Sequence, residues 1–255
     1  MPNQPPLTFL MPVDSYRAAK LPAACRDSSS AEFRNAVAEA IQKDFQPFGG
    51  NLKILINQQN IQVVWLPAAN SKPLELAAHL IKDHGCDVAV PFLETLLKRE
   101  PNNPEVLYSL GVALSAQKQS DRAIDLLTKV TKLDPEQVNG WIALGTALDQ
   151  GGQTEKAAEA FEQALTLDPR NFHVCRSYGN FFAEHGNLKK AEEYLRSALS
   201  DSPTDIQTLA LLGDCLKKQG GSDLVGEIEQ QILDNHPDSD AAKLIRTARG
   251  LRDNL

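Results

Sequence analysis

Features that would mark a specialised class of protein are scarce in this chain. It has four cysteines in 255 residues, Cys25, Cys86, Cys175 and Cys215, widely scattered, with no C-x-x-C pair and no histidine at ligand spacing. That argues against a disulfide framework or zinc ribbon and for free thiols in a reducing compartment. Glycine and proline, 15 of each, stand at the ordinary globular level, which excludes collagen and low-complexity disorder. No apolar run approaches the ~18 residues of a membrane span. The opening Met1-Pro-Asn-Gln-Pro-Pro also lacks a basic stretch followed by an apolar one, so no stable membrane insertion and a cytoplasmic location are expected. Nor is there a basic excess: 26 Lys and Arg face 33 Asp and Glu, a net charge of −7. Nucleic-acid affinity rests on a clustered basic surface that neutralises phosphates, so no nucleic-acid partner is expected.

Chemical motifs are as sparse. Gly151-Gly152 and Gly220-Gly221 follow helical patterns rather than strands and lack the lysine and hydroxyl of a phosphate loop. Ser115-Ala-Gln-Lys118 fits the S-x-x-K pattern of serine acylases but stands without that mechanism's other motifs. The histidines, His79, His84, His173, His185 and His236, are dispersed, and His79 with His84 is an i, i+5 pair off a shared helical face. They read as solvated or turn histidines. No metal, no cofactor and no catalytic set are expected, so the chain is not expected to be an enzyme.

What the chain does have is a period. Pro101, Pro135, Pro169, Pro203 and Pro237 are 34 residues apart, and Gly111, Gly145, Gly179 and Gly213 keep the same step. So do Ala89, Ala123, Ala157 and Ala191, and the apolar column Leu93, Leu127, Phe161 and Leu195. Independent columns at one spacing indicate a repeat architecture. Within residues 138–171, Trp141, Leu144, Leu148, Ala157, Phe161, Ala164 and Leu165 recur at spacings of three and four, the mark of two amphipathic helices per period. Gly152, Gly186 and Gly220 fall between them, where a left-handed residue closes a helix. The small Gly145 and Ala157 allow close helix approach, and Asp168-Pro169 ends the second helix.

Trp141, Leu144-Gly145, Ala157, Phe161, Ala164 and Pro169 resemble the tetratricopeptide-repeat pattern, with Leu148 in place of its tyrosine. The resemblance extends over repeats 70–103, 104–137, 138–171, 172–205 and 206–239 with a cap helix at 240–255, together a repeat domain at 70–255. It implies a mainly α fold, a right-handed superhelical solenoid. The edges are weaker: 70–103 has Ala77 for the glycine and Pro91 early in its second helix. In 206–239, Glu229 stands where Leu or Phe belongs, so that repeat's second helix is expected to be loose or outward-facing. The cap places Leu244, Ile245, Ala248 and Leu251 on its inner face, with Lys243, Arg246, Arg249 and Arg252 as a solvated basic stripe.

Residues 1–69 have another texture, that of a small α/β element. Phe33, Val37, Ala40, Ile41 and Phe45 are spaced as a helix behind a Ser29 or Ser30 cap. Leu52–Ile56 and Ile61–Trp65, separated by Asn57-Gln-Gln-Asn60, read as a hairpin, and Leu7–Met11 as a third strand held to an edge by Pro12. So small an element is expected to pack on the first repeat or to pair with a copy of itself, the latter as a homodimer through residues 1–66.

The resemblance also implies a concave groove lined by the first helix of each repeat. Its positions here are Glu105, Tyr108 and Val112; Asn139, Ile142, Thr146 and Asp149; His173, Arg176 and Asn180; and Asp214 and Lys217. Gln150, Glu184, Gln207, Ala210 and Lys218 extend the set, and Tyr108, Ile142 and Arg176 share one register. Some members clamp a chaperone C-terminus with Lys and Asn residues; only Arg176 and Asn180 match, and Leu211 replaces the second asparagine. The expected function is a non-catalytic interaction scaffold that takes an extended peptide or helix of a partner protein. The alternatives are a substrate-positioning module of a transferase-type enzyme and a self-assembling structural protein.

Overall fold

The structure, a computed structural model, describes residues 6–13, 30–57 and 59–248. Cys25, Arg249, Leu251, Arg252 and the rest of the expected cap to residue 255 lie outside them. Two compact units divide the chain, residues 1–135 and 136–255.

In the first unit, strands β1 (Leu7–Pro12), β2 (Asn51–Ile56) and β3 (Asn60–Leu66) form an antiparallel sheet of order β1-β3-β2, so β1, which carries Pro12, stands at an edge as expected. Ile56 pairs with Ile61 across the turn, where the Asn57 side-chain oxygen accepts from the amides of Gln59 and Asn60 at 2.9 and 2.7 Å. Period-2 alternation turns Phe9, Met11, Ile61, Val63 and Trp65 inward. Helix α1 (Ala31–Phe45) starts at Ser30, whose hydroxyl accepts from the Phe33 amide at 3.0 Å, and buries Phe33, Val37, Ile41 and Phe45.

The remaining helices come in pairs at the 34-residue step. The first unit holds α2 (Pro73–His84) with α3 (Cys86–Arg99) and α4 (Pro104–Ala116) with α5 (Ser120–Leu133). The second holds α6 (Val138–Gln150) with α7 (Thr154–Leu167), α8 (Phe172–Glu184) with α9 (Leu188–Asp201), and α10 (Ile206–Lys218) with α11 (Ser222–Asn235), then α12 (Asp240–Ala248). A Cβ built on Gly111, Gly145 or Gly179 would lie 2.7–3.0 Å from the side chain sixteen residues on, Leu127, Phe161 or Leu195. Glycine in that column is what lets the two helices of a repeat close on each other. A second column marks helix starts: Asn103, Asn171 and Asp205 cap α4, α8 and α10 by accepting amide protons.

The α/β element packs on the first repeat. Phe92 of α3 meets Phe9 edge-on at 5.3 Å and lies 6.1 Å from Trp65, while Phe45 meets Trp65 at 5.5 Å. Helix α3 continues through Pro91, whose carbonyl accepts from the Thr95 hydroxyl at 3.0 Å.

The last repeat corrects the expectation of a loose or outward second helix. Helix α11 is regular and buries Ile228 and Ile232 against Leu209, Leu212 and Leu216 of α10. Ile228, one residue before Glu229, fills the vacant column, and its Cγ2 lies 3.4 Å from a Cβ built on Gly213. Helix α12 turns Ala242 and Ile245 toward the same cluster. Leu244 and Ala248, expected on that face, have side chains outside the described set. Lys243 lies 3.1 Å from Asp240, and Arg246 donates to the Pro237 carbonyl at 2.7 Å.

Candidate functional site

Helices α6, α8 and α10, the first helices of three successive repeats, frame a polar cleft of the second unit. It encloses about 280 Å³. Thr146 and Asp149 reach it from α6, one turn apart, and Arg176 and Asn180 from α8 at i, i+4. Gln207 and Leu211 come from α10, and Phe161 and Phe181 supply an aromatic floor with ring centroids 5.5 Å apart.

The polar rim is internally braced. Arg176 Nη1 donates to Gln207 Oε1 at 3.0 Å, lies 3.8 Å from Asp205 Oδ2, and its guanidinium sits 5.1 Å over the Phe172 ring. Burial pushes the Asp205 carboxyl up. The hydrogen bonds from the Thr208 hydroxyl and amide, followed by the charges of Arg176 and His236, outweigh it and hold the group below the ordinary carboxylate value. His185 Nε2 pairs with Asp149 Oδ1 at 2.7 Å, and Asn180 Nδ2 donates to Glu184 Oε1 at 3.0 Å. Beneath the rim, burial and the neighbouring Glu162 carboxylate push the Tyr178 phenol up to about 12.

Not every residue carried over from the repeat pattern enters this cleft. Asn139, His173, Asp214 and Lys217 are exposed and do not line it. Ile142 is half-buried, and its carbonyl accepts from the Thr146 hydroxyl at 3.0 Å. Glu105, Tyr108 and Val112 belong to α4 in the first unit, Glu105 and Val112 exposed and the half-buried Tyr108 phenol pushed up by burial. Phe181 is a floor residue that the sequence reading passed over. In its column His79 stands in the first repeat and the small Ala113, Ala147 and Cys215 in the others.

Other chemistry stays structural. The S-x-x-K segment is a helix end, with the Lys118 amide donating to the Ser115 carbonyl at 2.9 Å. Cys86, Cys175 and Cys215 are free thiols, each pushed up by burial and so held protonated. A wider opening of about 590 Å³ lies beside Glu39, Lys43, Gly50 and Trp65 of the first unit. Among the described residues lining it, none belongs to the groove set.

Comparison with known proteins agrees with this architecture. Residues 131–240 match the family model for the tetratricopeptide-repeat domain of cytochrome c-type biogenesis protein H, and residues 87–148 a general tetratricopeptide-repeat model. No curated protein gives a significant sequence match. Among solved structures, a thermophilic tetratricopeptide-repeat protein of Thermus thermophilus is 23% identical, with 70% of this chain aligned to 98% of that one at a TM-score of 0.62. MamA of Desulfovibrio magneticus is 21% identical over 66% of this chain and 95% of its own, at a TM-score of 0.53. PilF of Pseudomonas aeruginosa is 20% identical over 69% and 80%, also at 0.53. At these identities the likeness is one of fold. The repeated helix pairs, their glycine and alanine columns and both matching models agree, and the repeat region of the chain, matched over residues 87–240, belongs to the tetratricopeptide-repeat family.

Proposed function

We propose that this protein is a non-catalytic interaction scaffold that holds an extended segment of a partner protein across α6, α8 and α10. The observation that carries this reading is the cleft itself, where Thr146, Asp149, Arg176 and Asn180 converge over Phe161, Phe181 and Leu211. An aromatic floor takes an apolar side chain, and the donors and acceptors of the rim suit the backbone of a strand-like ligand, which offers both. Because Arg176, Asp149 and Asn180 are already held by Gln207, His185 and Glu184, little side-chain freedom is lost on binding, which favours affinity.

Selection of peptides from a random displayed library on the purified chain tests this. Selected peptides should lose more than about tenfold in affinity to Arg176→Glu, a central arginine of the contact surface, and keep it toward Lys217→Ala, outside the cleft. Peptides that bind Arg176→Glu as tightly as the parent would place recognition elsewhere.

A second reading, self-association through the α/β element, draws on one cross-strand row. Leu10, Gln62 and Leu55 are paired across the sheet, and the two leucines are 56% and 49% exposed. A light-scattering mass of one chain at high micromolar concentration would end it; a dimer that Leu10→Lys with Leu55→Lys returns to one chain would support it.

A further inference from the structure

The spacing of His79 and His84 separates them on a helix, yet the fold gathers both around one carboxylate, Asp44 in the last turn of α1. His84 Nε2 lies 2.6 Å from Asp44 Oδ2, and His79 Nε2 lies 3.7 Å from Asp44 Oδ1. One turn on from His79, Asp83 brings its Oδ2 to 3.4 Å from the same Nε2. We propose that Asp44, His79 and Asp83 form a binding site for a divalent transition-metal ion of the zinc class, fastening the α/β element to the first repeat.

Three observations carry this. First, one donor atom from each of the three residues lies within 4.8 Å of the others. Ligands of a tetrahedral ion bound at about 2.0–2.2 Å stand roughly 3.4 Å apart; the separations around His79 Nε2 are 3.4 and 3.7 Å, and the two carboxylates, within 4.8 Å of each other, close on the ion as it binds. Both His79 separations exceed the ordinary length of an N–H···O bond, about 2.7–3.2 Å, and a cation between the groups converts a loose contact into bonds.

Second, the ligands are held in place. His84 Nε2 stands within hydrogen-bond distance of Asp44 Oδ2, and Oδ1 of the same carboxylate faces His79. A hydrogen bond that fixes the far oxygen of a ligating carboxylate is the usual second layer of a metal site. His84 and Asp44 side chains are only 8% and 14% exposed, which shields this bond from water. The His79 ring is steadied by the Phe48 ring at 5.9 Å.

Third, the donor set selects the ion. One imidazole and two carboxylates suit zinc, cobalt or manganese better than magnesium or calcium, which prefer all-oxygen shells. Three protein ligands leave a fourth position for water, and His79 and Asp83 are 33% and 39% exposed, so an ion can enter from solvent.

Cobalt(II) titration of the chelator-stripped full chain, followed by visible absorption and by calorimetry with zinc(II), tests the proposal. One equivalent should bind with the absorption of a four- or five-coordinate N/O site and raise the melting temperature, and magnesium should not compete. His79→Ala and Asp83→Ala, both at partly exposed positions, should weaken binding at least tenfold with unchanged helicity; His173→Ala should leave it as it was. Absence of stoichiometric binding, a thiolate-to-cobalt band showing that cysteines hold the ion, or equal affinity in His79→Ala would overturn it.

Discussion

The α/β element and the repeats bury apolar surface in opposite ways. In the element, Phe9, Phe45 and Trp65 come from three separate segments and meet through Phe45, and Phe92 of α3 contacts all three rings. In the repeats, Gly111, Gly145 and Gly179 each meet a large side chain sixteen residues on, Gly213 meets one fifteen on, and that local contact recurs down the chain. The first core is a single long-range assembly that fails as a whole. The second is a series of nearest-neighbour contacts in which a fault stays close to its own repeat.

Phe92→Ala should break the comparison at its strongest point, because Phe92 is fully buried and shared by the sheet and the first repeat. Truncating so large a core residue costs about 3–5 kcal/mol. Hydrogen exchange should show β1–β3 and α1–α3 losing protection together, while α8–α11 keep theirs. Loss of protection confined to α3 would mean that the aromatic cluster is not one cooperative core.

A second pair of substitutions sharpens the contrast within the repeats. A methyl on Gly179 would stand 2.9 Å from Leu195 Cγ and 3.3 Å from the Leu195 backbone nitrogen, whereas on Gly213 the nearest atom is Ile228 Cγ2 at 3.4 Å. Overpacking costs about 1–3 kcal/mol, and replacing a helical glycine by alanine returns about 1. Gly179→Ala should therefore destabilise the second unit by about 1 kcal/mol and Gly213→Ala stabilise it by about 0.5. Urea unfolding followed by helical signal compares the two, and equal losses would show that Ile228 fills its column as tightly as Leu195 does.

That contrast also explains what could be read in the sequence. A contact that recurs every 34 residues writes itself as a column, so the helix pairs and their turns were legible from Gly145, Phe161, Gly152 and their equivalents, whereas of the groove positions only Thr146, Asp149, Gln150, Arg176, Asn180, Glu184 and Gln207 line the α6–α8–α10 cleft. Contacts made once leave no column. Nothing in the spacing of Asp44 and His79 says that α1 will bring them together, and the role of Phe92 depends on a sheet whose nearest strand ends at Leu66. Where a column was broken, as at Glu229, periodicity alone missed that a helix can turn slightly and offer Ile228 instead. The floor of the cleft was hidden for a related reason, since Phe181 departs in size from its column and periodic reading looks for agreement.

The smallest expected effect lies in the turn column. Gly152, Gly186 and Gly220 take φ of 74°, 77° and 83°, and Lys118, at the same step in the second repeat, takes 61°. Space does not explain the glycines, because a Cβ built on any of the three would meet nothing within 4 Å; the left-handed backbone does. A side chain there costs roughly 1–2 kcal/mol, partly offset because glycine gives up more freedom on folding, by about 0.5–1 kcal/mol. Lys118→Gly should thus raise the stability of the first unit by about 0.5 kcal/mol, and Gly186→Ala should lower that of the second by a similar amount, both read as shifts in the urea midpoint. Opposite signs would show that the turn obeys one backbone rule in both units, so that the repeats differ there only in how well each residue meets it. A loss in Lys118→Gly would instead mean that the lysine side chain contributes more to this turn than its backbone conformation costs.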